Sequence, residues 1–125
     1  MQAQRKKVLL IGLDPSVVDY SLFPDLDATK LSAGLKSEEM RLQELGYDAQ
    51  WCLTDLGETA ESVVLERLRQ NEYDCILIGA GVRTVATHFL LFEKLINIVH
   101  EHAPRARLCF NTRPGDTGQA VQRWI

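Results

Sequence analysis

Two stretches of this chain are apolar at every position, Val8-Leu9-Leu10-Ile11-Gly12-Leu13 and Cys75-Ile76-Leu77-Ile78. A strand with one face in water alternates apolar and polar residues. An unbroken run instead marks a strand covered on both faces, and such strands belong to parallel sheets sandwiched between helices. Both runs are also too short to span a bilayer.

The rest of the chain fits around them. Tyr47-Asp48-Ala49-Gln50-Trp51-Cys52-Leu53 alternates more and reads as a second strand at or near a sheet edge, and Arg107-Leu108-Cys109-Phe110 reads as a fourth. Between the strands, apolar residues recur at helical spacing. Asp27 is placed to cap a helix carrying Leu31, Leu35, Leu42 and Leu45 and ending at Gly46, while Glu38 and Glu39 interrupt its stripe and predict a partly solvated middle. Thr59 is placed to cap a second helix with Ala60, Val63, Val64 and Leu68 inward. A third, about Thr87 to His102, turns Leu91, Leu95, Ile98 and Val99 inward and is stopped by Pro104. Asp116 or Thr117 opens a last helix packing Val121, Trp124 and Ile125. Strand then helix, four times over, with right-handed crossovers, predicts a three-layer α/β sandwich. Its four-stranded parallel sheet has the order 2-1-3-4, in one flavodoxin-like or Rossmann-like domain over 1–125.

Composition narrows the function classes. The 125 residues, 46% hydrophobic and 25% charged, exclude disordered, collagen-like and coiled-coil chains. With 14 Lys+Arg against 17 Asp+Glu the net charge is −3, which speaks against nucleic acid. That reading would need Arg105, Arg107, Arg113 and Arg123 to share one face. The basic start is followed by an apolar run too short for a signal peptide and closed by Asp14-Pro15, so a cytoplasmic protein with no membrane contact is expected. Cys52, Cys75 and Cys109 lie inside strand runs without metal-ligand spacing and read as buried thiols, so no metal is expected. A phosphatase-type cysteine needs Arg six positions on, where this chain has Glu58, Gly81 and Gly115.

In a doubly wound sheet the ligand crevice opens at the carboxyl ends of the strands flanking the reversal, here strands one and three. The candidate ligand-binding residues delivered there are Asp14, Ser16, Gly79, Gly81, Arg83, His88, Asn111 and Thr112. Gly79 and Gly81 let backbone approach a ligand, and Arg83 is suited to clamp a carboxylate or phosphate. In a catalytic site Asp14 would act as base or cation ligand, with Asn111 orienting the substrate. Gly-x-Gly after a strand is equally an ordinary tight turn. It is not a dinucleotide fingerprint, since Thr84 holds the third glycine's place, and no GxxxxGK[ST] loop exists. His88 faces the crevice as a neutral imidazole or merely caps a helix, whereas His100 and His102 face different directions and offset helix charge. The segment 14–26 is long for a strand-to-helix connection and apolar at Val17, Val18, Tyr20, Leu22 and Phe23, so it serves as a lid, a partner surface or packing.

The alternating architecture and the opening Lys6-Lys7-Val8-Leu9-Leu10-Ile11 resemble receiver domains of response regulators and other flavodoxin-like or Rossmann-like modules over most of the chain. For a receiver the resemblance implies acids after strand one, a phosphoacceptor Asp after strand three, Ser or Thr after strand four and Lys after strand five. Asp14 and Thr112 stand at the first and third of these places, Gly79 takes the phosphoacceptor's, and no fifth strand follows. Asp14-Pro15-Ser16-Val17 does not match a flavin phosphate loop, the Asp-x-His-x-x-Gly of cobalamin modules is missing, and no cofactor is implied. The chain also looks like small bacterial proteins of this fold. The leading expectation is a non-enzymatic regulatory or interaction module, a pseudo-receiver without phosphoacceptor. It would form a homodimer or bind a protein partner through the apolar 17–23 segment or an edge face. The alternative is a binder of, or enzyme acting on, a small anionic ligand at the crevice between strands one and three.

Overall fold

The two unbroken apolar runs form the centre of the sheet. The computed structural model describes residues 5–125, apart from the side chain of Pro114. In chain order the elements are β1 (Lys7–Leu13), α1 (Ala28–Glu44), β2 (Asp48–Thr54), α2 (Ala60–Gln70), β3 (Cys75–Ile78), α3 (Ala80–Arg83), α4 (Phe89–His102), β4 (Arg107–Phe110) and α5 (Thr117–Gln122). Short 3-10 turns occupy Pro15–Val17, Tyr20–Leu22, Ala86–His88 and Pro114–Asp116. The four strands are all parallel in the order β2-β1-β3-β4, as the sequence predicts. No helix among the described residues is long and apolar enough to cross a membrane.

Alternation along each strand distributes the apolar side chains between two layers. Leu9, Ile11, Leu13, Cys52, Ile76 and Ile78 pack with α2, α3 and α4 through Val64, Leu68, Val82, Leu91, Leu95 and Val99. Val8, Leu10, Ala49, Cys75, Leu77 and Cys109 pack on the other face with Leu42 of α1 and Ala120 and Val121 of α5. β1 and β3 are buried from both sides, which is why their sequences carry no polar alternation.

Side chains bond backbone groups on both sheet edges. On β2 the Trp51 N–H donates to Glu39 Oε2 at 3.0 Å, while Gln43 Nε2 donates to the Ala49 carbonyl at 3.1 Å and Arg67 Nη2 to the Trp51 carbonyl at 3.2 Å. On β4, Arg123 Nη2 donates to the Phe110 carbonyl at 3.0 Å. Part of the edge backbone that an added strand would use is therefore occupied.

Several local expectations are corrected by this packing. The middle of α1 is not a solvated stretch: Glu38 is buried and Glu39 holds the sheet edge, because the helix crosses the exposed side of β2. Leu45 and Val63 are exposed, each lying just beyond the contact stripe of its helix, and Trp124 lies exposed past the end of α5. Thr59 makes no side-chain cap for α2; instead Asp55 accepts from the Thr59 N–H and hydroxyl. The helix expected from Thr87 begins at Phe89, and the residues before it form α3 and a 3-10 turn. Asp27 does cap α1, accepting from the Lys30 N–H at 2.8 Å.

Candidate functional site

At the carboxyl ends of β1 and β3 the chain leaves to opposite faces, and a cavity of about 300 Å³ opens between them. Its floor is backbone at Gly12 and Gly79. A Cβ at Gly12 would come within 2.9 Å of Trp51 Cζ3, and one at Gly79 within 3.3 Å of the Ile11 carbonyl oxygen. Glycine in a strand marks such close approach, and here it lets the Trp51 ring lie flat over β1 as a wall. Trp51 is held there by its indole N–H, which donates to the Leu35 carbonyl at 2.8 Å. Leu31 and Leu35 of α1 form a second wall, and Val18, Leu22, Phe23 and Leu26 the roof.

The roof is the 14–26 segment, and it is built almost wholly from its own hydrogen bonds. Asp14 Oδ1 accepts from the Ser16 N–H at 2.9 Å and hydroxyl at 2.7 Å, and Asp19 Oδ1 does the same for Ser21 at 3.0 and 2.6 Å. Tyr20 donates its hydroxyl to the Pro15 carbonyl at 2.6 Å. The Ser16 N–H and then its hydroxyl hold the Asp14 carboxyl below its ordinary pKa, and the Ser21 hydroxyl and N–H do so for Asp19. Val17 and Val18 pack down on the core, whereas Leu22 and Phe23 stay exposed at the cavity mouth.

Of the residues singled out from sequence, Gly79, Gly81, His88, Asn111 and Thr112 line this cavity. Asp14 and Ser16 do not; they face a separate shallow groove along α1 with Ala28 and Ser32. Arg83 does not line it either. Its Nε donates to the Ile78 carbonyl at 3.1 Å, Nη2 donates to the Asn111 carbonyl, and the guanidinium stacks 5.3 Å from the Phe110 ring centroid. Arg83 thus ties the end of β3 to the end of β4, and partial burial pushes its pKa down. Asp14 and Arg83 do not meet across one space.

The polar lining is largely committed within the protein. Asn111, buried, accepts from the Ala80 N–H at 2.8 Å and donates to the Thr117 hydroxyl at 3.0 Å. Thr84 donates to the Ala80 carbonyl at 2.7 Å, and His88 Nδ1 lies 3.0 Å from the Gly81 carbonyl, which assigns the ring proton to Nδ1. Thr112 gives its N–H and hydroxyl to Asp116. Partial burial works upward on the Asp116 carboxyl, but the Thr112 hydroxyl and the Arg113 and Thr112 N–H groups outweigh it and hold the pKa low. Trp51, Leu31 and Leu35 were not legible as site residues from sequence, whereas Leu22 and Leu26 belong to the 14–26 segment read there as a lid, a partner surface or packing. The available signal was Gly12, the one residue without a side chain in an otherwise bulky apolar strand. No group of three metal-ligating side chains occurs among the described residues. No protein family matches this chain, and no curated protein matches it.

Proposed function

We propose that this protein is a non-catalytic binding module of receiver-like, flavodoxin-like type, acting in the cytoplasm, that holds a small and mainly apolar molecule at the β1/β3 switch point. The observation that carries this reading is the roofed cavity of about 300 Å³ over Gly12 and Gly79, at the lower end of the size range of ligand sites. Asp14 and Arg83, the pair an enzyme would have used, are spent on local structure. The phosphoacceptor place is held by Gly79, so regulation by binding replaces regulation by phosphorylation. Thermal unfolding in the presence of nucleotides, flavins, phosphorylated metabolites and small aryl or alkyl acids and alcohols tests it. A ligand at about 100 times its Kd stabilises by about 2.7 kcal/mol, several degrees in Tm. The shift is expected to vanish in Gly81→Leu, because Gly81 lines the cavity and a Cβ there meets nothing within 4 Å, which leaves a leucine room to enter it. A screen without a shift, or a shift that survives Gly81→Leu, sinks the reading.

The cavity mouth favours a second reading. Leu22, Phe23, Phe89 and Leu90 are all exposed, and large exposed apolar groups gathered at one end of a fold mark contact surfaces. In this reading the 17–23 segment docks a protein partner or a second copy. Sedimentation velocity at high concentration that finds only monomer, together with an empty pull-down, counts against it.

A further inference from the structure

We infer that the molecule held in the cavity is a small ring-bearing monocarboxylate, its ring against Trp51 and Leu35 and its acid group on Arg113. This rests on the cavity reading above and adds the chemistry of the ligand.

Each uncharged polar side chain in the lining already has a partner. Asn111 uses both its amide atoms, Thr84 its hydroxyl on Ala80, and Thr112 its hydroxyl on Asp116. A ligand rich in hydroxyls or amides would bury groups with nothing to bond, at a large cost in affinity. The interior therefore selects an apolar body. At close-packed density a cavity of this volume holds roughly 15 non-hydrogen atoms, the size of a substituted or fused aromatic ring.

The ionisable lining groups are Asp19, His88 and Arg113. Asp19 already accepts from the Ser21 N–H and hydroxyl and repels any further acid nearby. His88 is turned to the Gly81 carbonyl. Arg113 is exposed, and its guanidinium makes no ion pair and no hydrogen bond among the described residues. Asp116 is near enough to sense its charge, but the oxygens of Asp116 accept from the Thr112 N–H and hydroxyl and from the Arg113 N–H. Arg83 and Arg123, which also reach this end, are engaged by backbone carbonyls. One free guanidinium presents a two-pronged donor that matches a carboxylate. A phosphate ester, with more acceptors and more charge, would leave oxygens unpaired beside Asp19.

Titration calorimetry with 2-naphthoate and its neutral analogue of equal size, 2-naphthamide, tests this on the full chain, on Arg113→Gln and on Gly81→Leu, with circular dichroism confirming that each variant folds. Naphthoate is expected to bind wild type about tenfold more tightly than naphthamide, the factor a charge-assisted bidentate pair supplies at an exposed position. Arg113→Gln is expected to erase that preference while keeping naphthamide affinity, added salt to shrink it, and Gly81→Leu to abolish both. Equal affinities in wild type, or a preference that persists in Arg113→Gln, overturn the carboxylate assignment. The cavity reading then still stands if Gly81→Leu abolishes binding. Loss of both probes from wild type, or binding of both by a folded Gly81→Leu, overturns the two together.

Discussion

Glycines in this chain do opposite things within a few residues of one another in space. At Gly12 a methyl would meet the Trp51 ring at 2.9 Å, so Gly12→Ala must displace a ring fixed by its own hydrogen bond to Leu35. Such overpacking costs about 1–3 kcal/mol. Gly34, inside α1, has nothing within 4 Å of an added Cβ, and Gly34→Ala gains about 1 kcal/mol of helix propensity. Urea titrations are expected to move the two midpoints in opposite directions, and a shared direction would refute the cavity-floor role of Gly12. Glu38 is the residue whose sequence reading failed most informatively. Its acidic type suggested a solvated position, yet it is buried and its Oε2 has no hydrogen-bond partner among the described residues. Replacing it with an apolar side chain of similar length, Glu38→Met, is expected to stabilise by about 1 kcal/mol in the same titration. No local pattern announces such a residue, because burial along α1 comes from its packing against β2, the 3-10 turn Pro114–Asp116 and α5.

At the level of elements, the strands were legible and the connections were not. Cys75–Ile78 is the run read from sequence, residue for residue, because a strand buried on both faces writes its burial into every position. The 14–26 segment was legible only as surplus. Its two 3-10 turns depend on Asp-x-Ser pairs too short to register as periodicity. These and the neighbouring turns give the protein a defined acid response. Asp14, Asp19, Asp55 and Asp116 all have pKa values held below the ordinary aspartate range, by the Ser16 N–H, by the Ser21 hydroxyl, by the Thr59 hydroxyl, and by the Thr112 and Arg113 donors that outweigh burial. The unfolded chain takes up these protons first. Their contribution is therefore complete above the unfolded value near 4 and is lost as pH falls through the lower folded values. Urea midpoints are expected to drop steadily below about pH 4.5, and Asp116→Asn is expected to flatten that slope. An unchanged slope would assign the acid response to other groups.

Across the whole molecule, the two layers of core keep all three thiols from water. Cys75 and Cys109 sit on neighbouring strands with their Sγ atoms 3.3 Å apart. Donating to Cys75 and then burial push the Cys109 thiol up, and burial does the same for Cys52. Native protein is expected to react with none of its cysteines in an Ellman assay, and with all three in denaturant. Rapid native labelling would contradict the packing described. Because burial keeps the Cys52 thiol from ionising only when folded, its contribution to stability is expected to fall as pH rises beyond about 8.5.

The side chains on the sheet's borders act at the same scale. Strand count is often read as a consequence of chain length, but Glu39, Gln43 and Arg67 on one margin and Arg123 on the other occupy the backbone groups by which a further strand would attach. The chemistry of these borders therefore works against widening the sheet. A strand added at the β2 margin would have to displace these side chains, and a single substitution at Glu39 would return a bare main-chain N–H to whatever extended peptide came near.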